Sequence, residues 1–132
     1  MDVKRQLQEY SWIVKNIELM EERLLELDTD LQRATARLSD MPKAQGSPDK
    51  ITLKVADIID LQNEINEEVQ RRCKKEQEIK ALMGKLDERE QVLVRLKYVK
   101  CLTWEQCAVE MNYGWQHLHK IHKNLLRKLN RR

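Results

Sequence analysis

The sequence predicts an all-α protein: a long N-terminal helical hairpin or coiled coil, then a small three-helix unit that contains a helix-turn-helix. Three observations predict it. Charged residues make up 36% of the chain and aromatic ones 5%, with no Phe, which suits long amphipathic helices and not a β-sandwich or an α/β enzyme. Apolar residues recur at alternating steps of three and four over most of the length. Both prolines fall in one stretch, PKAQGSP at residues 42–48, between two such patterns.

Residues 2–41 predict one helix. Leu7, Tyr10, Val14 and Ile17 mark its seam, followed by Leu24, Leu27, Leu31, Ala34, Leu38 and Met41. The phase of the two sets slips near Met20 and Glu21, which predicts locally disturbed supercoiling. Trp12, Ile13 and Leu19 widen the apolar surface, so this helix is expected to contact more than one neighbour. The break at 42–49 is short enough to fold two helices back into an antiparallel hairpin. Asp49 or Ser47 is the expected cap of the next helix. That helix runs to about Met83, with Ile51, Val55, Ile58, Ile65, Val69, Ile79 and Met83 in three-four spacing. Gln62, Arg72 and Glu76 interrupt the seam, and polar seam residues weaken a coiled coil while fixing its register. Gly84 marks a joint, so the expected regions are 1–84, an oligomerisation hairpin, and 85–132.

The second region divides into three helices. Asp87 with Glu90 forms a capping box for a helix to about Lys100, and Thr103 with Gln106 forms another for Trp104–Met111. Asn112-Tyr113-Gly114 makes a turn, and a last helix runs from Trp115 to about Asn130. The final pair has helix-turn-helix spacing. Ala108 stands where close helix crossing needs a small residue, Tyr113 plugs the turn, and Leu118, Ile121, Leu125 and Leu129 form the inward stripe.

At ~100° per residue this stripe turns Gln116, Lys120, Lys123 and Arg127 outward, with Trp115 and His119 flanking. Such motifs present the start of the second helix to base edges in the major groove. The expected base contacts are therefore Trp115, Gln116, His119 and Lys120. Gln can bond adenine bidentately and Lys can reach guanine O6 and N7. Lys97, Lys100, Thr103, His117, Lys123 and Arg127 are the expected contacts to the DNA backbone. His122 falls beside Leu118 and Leu125 and reads as a packing histidine. Charge distribution agrees: residues 85–132 hold 11 Lys/Arg against 5 Asp/Glu, whereas residues 1–41 are net −3.

Other chemistry finds little footing. His117, His119 and His122 lie two, three and five residues apart, and none of these offsets is the i, i+4 spacing of helical metal ligands. No paired catalytic carboxylates, phosphate-binding Gly loop or nucleophile elbow is present, so neither catalytic residues, a metal nor a cofactor is expected. Cys73, Cys101 and Cys107 show no CxxC spacing, and Cys101 and Cys107 read as small core residues. No secretory signal or 18-residue apolar run is visible, so a cytoplasmic chain with reduced thiols and no membrane partner is the expectation.

The run Leu86–Leu129 resembles region 4 of sigma-70 family factors. The stretch CAVEMNYGWQHLHKIHKNLLRKL stands where those factors carry I-A-x-x-L-G-V-S-x-x-T-V-x-x-I-x-x-x-A-L-x-K-L. On that alignment the base-facing positions are again Trp115, Gln116, His119 and Lys120. The MPKAQGSPDK break and the segment LDEREQVLVRLKYVKCLTWEQCAVEMNY make the whole chain similar to phage and prophage transcriptional regulators of the RinA/ArpU type. The resemblance implies activation of late phage genes together with host RNA polymerase, in the bacterial cytoplasm at the nucleoid. It departs in three places: Gly114 replaces a capping Ser, Asn112 replaces a turn Gly, and Trp115 stands where Arg is frequent. Residues 1–84 have no counterpart of the promoter-melting segments, so a complete sigma factor is not expected. The expected partners are double-stranded DNA, RNA polymerase and a second copy of the chain, with a dimer favoured over larger rings. A small terminase-like packaging protein is the alternative, favoured by ring assembly. A module that docks on RNA polymerase without binding DNA is another.

Overall fold

A computed structural model of the 132-residue chain describes residues 2–40 and 48–131. Every regular element among them is helical. Helix α1 spans Val3–Asp40 and α2 spans Pro48–Met83. Three short helices follow, α3 (Glu88–Val94), α4 (Trp104–Met111) and α5 (Trp115–Asn130). None of the helices is long and apolar enough to cross a membrane.

The long helices do not form a region of their own. One compact unit takes in residues 1–15 and 71–132, and the other residues 16–70. We call them the terminal unit and the hairpin unit. The sequence placed a boundary at Gly84, but the first four turns of α1 carry apolar side chains that the terminal core buries. Val3, Leu7, Tyr10 and Val14 share one cluster with Leu93, Cys107, Leu118, Leu125 and Leu129. Within this unit Lys75 Nζ of α2 lies 3.4 Å from Glu9 Oε2 of α1, so the start of α1 lies beside the end of α2.

The seam of α1 is simpler than expected. Tyr10, Ile13, Ile17, Met20, Leu24, Leu27, Leu31 and Ala34 are all withdrawn from solvent and keep an unbroken three-four alternation. No phase slip occurs near Met20. Its apparent source is Leu7 and Val14, which form a second buried stripe, so two faces overlap in the first turns. Leu38 and Met41 as seam residues, and Ser47 as a cap, fall outside the described residues and side chains. Asp49 sits inside the first turn of α2, not at its cap, and a carboxylate there suits the positive helix end.

The α2 seam also differs. Ile51, Lys54, Ile58, Leu61, Ile65, Glu68, Val69, Arg72, Lys75, Ile79 and Met83 are withdrawn, whereas Val55 is 37% exposed and Gln62 is exposed. Lysine and arginine can occupy such positions by burying their methylene stems and keeping the charge at the rim. The hairpin unit is accordingly held by few apolar side chains. Ile17, Ile58 and Ile65 are buried, while Leu19, Leu25, Leu53 and Ile59 are at least half exposed.

The terminal unit is tied by specific polar contacts. Asp87 Oδ1 accepts from the Glu90 N–H at 2.8 Å, and Glu90 Oε1 accepts from the Asp87 N–H at 3.1 Å. This capping bond holds the Asp87 carboxyl below its ordinary pKa. Glu90 is only 3% exposed and also meets Lys128 Nζ of α5 at 2.6 Å, which joins α3 to α5. Gln91 Nε2 donates to the Met83 and Leu86 carbonyls and so satisfies the end of α2. The Val3 N–H at the start of α1 donates to Asn130 Oδ1 at the end of α5, 3.2 Å away.

After Val94 the helix expected to reach Lys100 widens into a π-helical turn over Arg95–Val99, closed by the Lys100 N–H donating to the Arg95 carbonyl at 2.9 Å. Leu96 and Tyr98 are both buried.

Leu7 is 1% exposed and belongs to the terminal core, far in sequence from the residues it covers. Leu7→Ala is expected to destabilise that unit by ~2–4 kcal/mol, while Leu25→Ala, at a side chain 69% exposed, changes stability by under ~0.5 kcal/mol. Urea unfolding followed by tryptophan fluorescence measures both, and equal effects would contradict the assignment of α1 to this core.

Candidate nucleic-acid interface

Helices α4 and α5 are joined as a helix-turn-helix requires. Thr103 Oγ1 accepts from the Gln106 N–H at 3.1 Å and Gln106 Oε1 accepts from the Thr103 N–H at 2.9 Å, so α4 starts on its capping box. It ends at Asn112, whose φ of 56° is left-handed, a conformation that Asn tolerates better than most residues. Gly114 caps α5 with φ −69° and ψ 155°, and a Cβ there would meet nothing within 4 Å. Nothing local therefore demands glycine at 114.

Helix α5 buries Leu118, Ile121, His122, Leu125 and Leu129. Its other face exposes Gln116, His117, Lys120, Lys123, Asn124 and Arg127, with Trp115 at 56% exposure. From Trp115 to the last residue the sequence contains no Asp or Glu. The positive end of the helix dipole and the exposed cations are thus uncompensated on this helix, apart from Lys128, which is committed to Glu90.

Two expected contacts are placed differently from the rest. The His119 ring lies between two indoles, with centroids 4.3 Å from Trp104 and 4.0 Å from Trp115. Its Nε2 is buried and has no hydrogen-bond partner, so this nitrogen is not offered to a base edge. The spacing put His119 beside the outward face; the large ring of Trp104 on the neighbouring helix covers it. Lys97 is also engaged, with Nζ 4.9 Å from the Trp104 ring centroid and donating to the Leu102 carbonyl at 3.2 Å. Lys100 and Thr103 are exposed, and the Thr103 hydroxyl, already accepting as a cap, retains a proton to donate. The exposed His117 stacks on Tyr113 at 4.7 Å.

Sequence reasoning assigned no role to Trp104 or Tyr98, which organise this end of the unit. Trp104 meets His119, and His122 meets its edge at 4.8 Å. His122 is 6% exposed, and its Nε2 shares a hydrogen bond of 2.6 Å with Tyr98 Oη. Burial pushes the Tyr98 phenol up to about 12. Burial, then the positive charge of Lys4, pushes His122 down to about 4. Both rings are therefore neutral at pH 7, and their bond fixes α5 to the π-helical turn. Burial also raises the Cys107 thiol, which is 0% exposed. Cys101 is half-buried, not a core residue like Cys107. Its backbone is left-handed, φ 58°, and its Sγ lies 3.3 Å from Ser11 Oγ.

No group of three or more His, Cys, Asp or Glu among the described residues could hold a metal. The chain matches no family model, curated protein or solved structure.

The His122 environment sets a pH dependence. The unfolded imidazole binds a proton near pH 6.5 and the folded one only near 4, so between these values the unfolded state holds more protons and stability falls as pH falls. The expected loss from pH 7 to 5 is ~1–2 kcal/mol, discounted for the ring's partial access to water. His122→Gln keeps a partner for Tyr98 without the titration, so its stability should be flatter over this range in urea titrations. An unchanged slope would contradict a neutral, buried His122.

Proposed function

We propose that the chain is a sequence-specific DNA-binding regulator of transcription that reads duplex DNA with α5. The observation that carries this reading is the face of α5: exposed, free of carboxylates and set after a left-handed turn at Asn112. On this reading Gln116 and Lys120 read base edges, with Trp115 packing beside them on a thymine methyl or sugar. Lys123, Arg127, Lys100 and the Thr103 hydroxyl hold phosphates, and the exposed His117 stands at the edge of that set. His119 acts differently from the sequence expectation. Packed against Trp104 and Trp115, it positions Trp115 instead of contacting bases.

The resemblance to sigma region 4 and to RinA/ArpU-type regulators extends the reading to activation of late phage genes with host RNA polymerase. Half-exposed Leu19, Leu25, Leu53 and Ile59 on the hairpin support self-association there, which would present two reading helices to two half-sites. On this reading the chain works in the bacterial cytoplasm, on the nucleoid, without a cofactor.

The test is equilibrium binding to labelled duplex across a salt series. Affinity is expected to fall linearly on a log–log plot, because Lys and Arg release counterions from the phosphates. Lys123→Ala and Arg127→Ala should each reduce the slope by ~1, and Gln116→Ala should weaken the preferred sequence without changing the slope. Binding that is insensitive to salt, or slopes unchanged in both cation variants, would contradict the proposed face.

A further inference from the structure

The terminal unit contains a second concave feature, away from the outward face of α5. A cavity of about 440 Å³ opens between the first turns of α1 and the segment that leads into α4. This is within the range of small-molecule pockets, ~300–1,000 Å³. Lys4, Gln8, Ser11, Trp12, Lys97 and Trp104 contribute to its lining, and no carboxylate does.

These residues divide by chemistry. Lys4 and Lys97 bring two ammonium groups to one cavity that holds no counter-charge. Lys97 is held in place, since its Nζ packs over Trp104 and donates to the Leu102 carbonyl. Trp104 meets Lys97, His119 and His122 at once, so it serves as a wall and an anchor. Trp12 is different: it is 74% exposed and has no ring partner among the described residues. A free indole beside two ammonium groups calls for a planar ring that carries an anion. Gln8 offers both amide donors and an acceptor, and Ser11 Oγ, whose proton goes to the Tyr98 carbonyl and which also meets the Cys101 thiol, keeps a lone pair for a ring N–H.

We propose that this cavity binds a nucleotide, with the base stacked on Trp12 and edged by Gln8 and Ser11, and the phosphate held between Lys4 and Lys97. Trp104 is at once a wall of this site and the ring that stacks on His119. Occupancy therefore bears on the start of α5, and this consequence alone rests on the proposed DNA-reading role.

The test is calorimetric titration of the full chain, without DNA, with the four ribonucleoside monophosphates, adenosine and inorganic phosphate. At least one monophosphate is expected to bind saturably with Kd below ~1 mM, and adenosine or phosphate alone at least ~10-fold more weakly. Trp12→Ala and Lys4→Ala, both at exposed side chains, should each weaken binding by ~10-fold or more, whereas Lys123→Ala on α5 leaves it unchanged. Absence of saturable binding overturns the site. So does binding that Lys123→Ala weakens as much as Lys4→Ala, which is general attraction of polyanions, and so does affinity unaffected by Trp12→Ala. Because no duplex is present, failure here leaves the DNA-reading proposal standing, and success does not depend on it.

Discussion

Three helices of seven, eight and sixteen residues with one π-helical turn do not enclose a core by themselves, and the terminal unit depends on how that shortage is met. Leu93, Cys107, Leu118 and Leu125 are fully withdrawn from water in a cluster that the first turns of α1 share. Burial of a leucine side chain contributes ~1.5–3 kcal/mol, so Leu7, Val3 and Val14 together stabilise the unit by more than its polar ties can. The polar ties set geometry instead. Asn130 receives the first N–H of α1, Glu90 joins α3 to α5 through Lys128, and Tyr98 joins the π-helical turn to His122.

On the proposed function, this arrangement makes a reading helix out of a short segment. One side of α5 is fixed by leucines and by neutral His122. Its first turn is steadied from the neighbouring helix, where Trp104 packs against His119, and His119 in turn against Trp115. A helix so held loses little freedom when it meets a ligand, which is the usual gain from preorganisation. The outward side has no acidic residue to oppose a polyanion.

Much of this was legible in the residues. Capping boxes at Asp87–Glu90 and Thr103–Gln106 are local chemistry and form as the spacing dictates. So do the turn at Asn112 and the inward stripe Leu118–Ile121–Leu125–Leu129. What escaped was long-range. A three-four pattern shows that a face is apolar and is silent on which partner covers it, so Leu7 and Val14 read as a phase slip and not as a second face. In α2 the pattern favoured Val55 over Lys54, because hydropathy does not register a lysine stem lying along a seam. His119 has the angular position of a base contact, but its ring packs against Trp104, fifteen residues earlier, and Trp115, and its Nε2 is buried.

The most direct test of the account is selection of bound duplexes from a random DNA pool at about 0.15 M salt, a physiological ionic strength, with a Gln116→Ala/Lys120→Ala variant run in parallel. The account predicts an enriched motif with the native chain that is lost with the variant, its half-site spacing set by a dimer. Retention without enrichment, or the same motif enriched by both proteins, would contradict the assignment of sequence reading to α5.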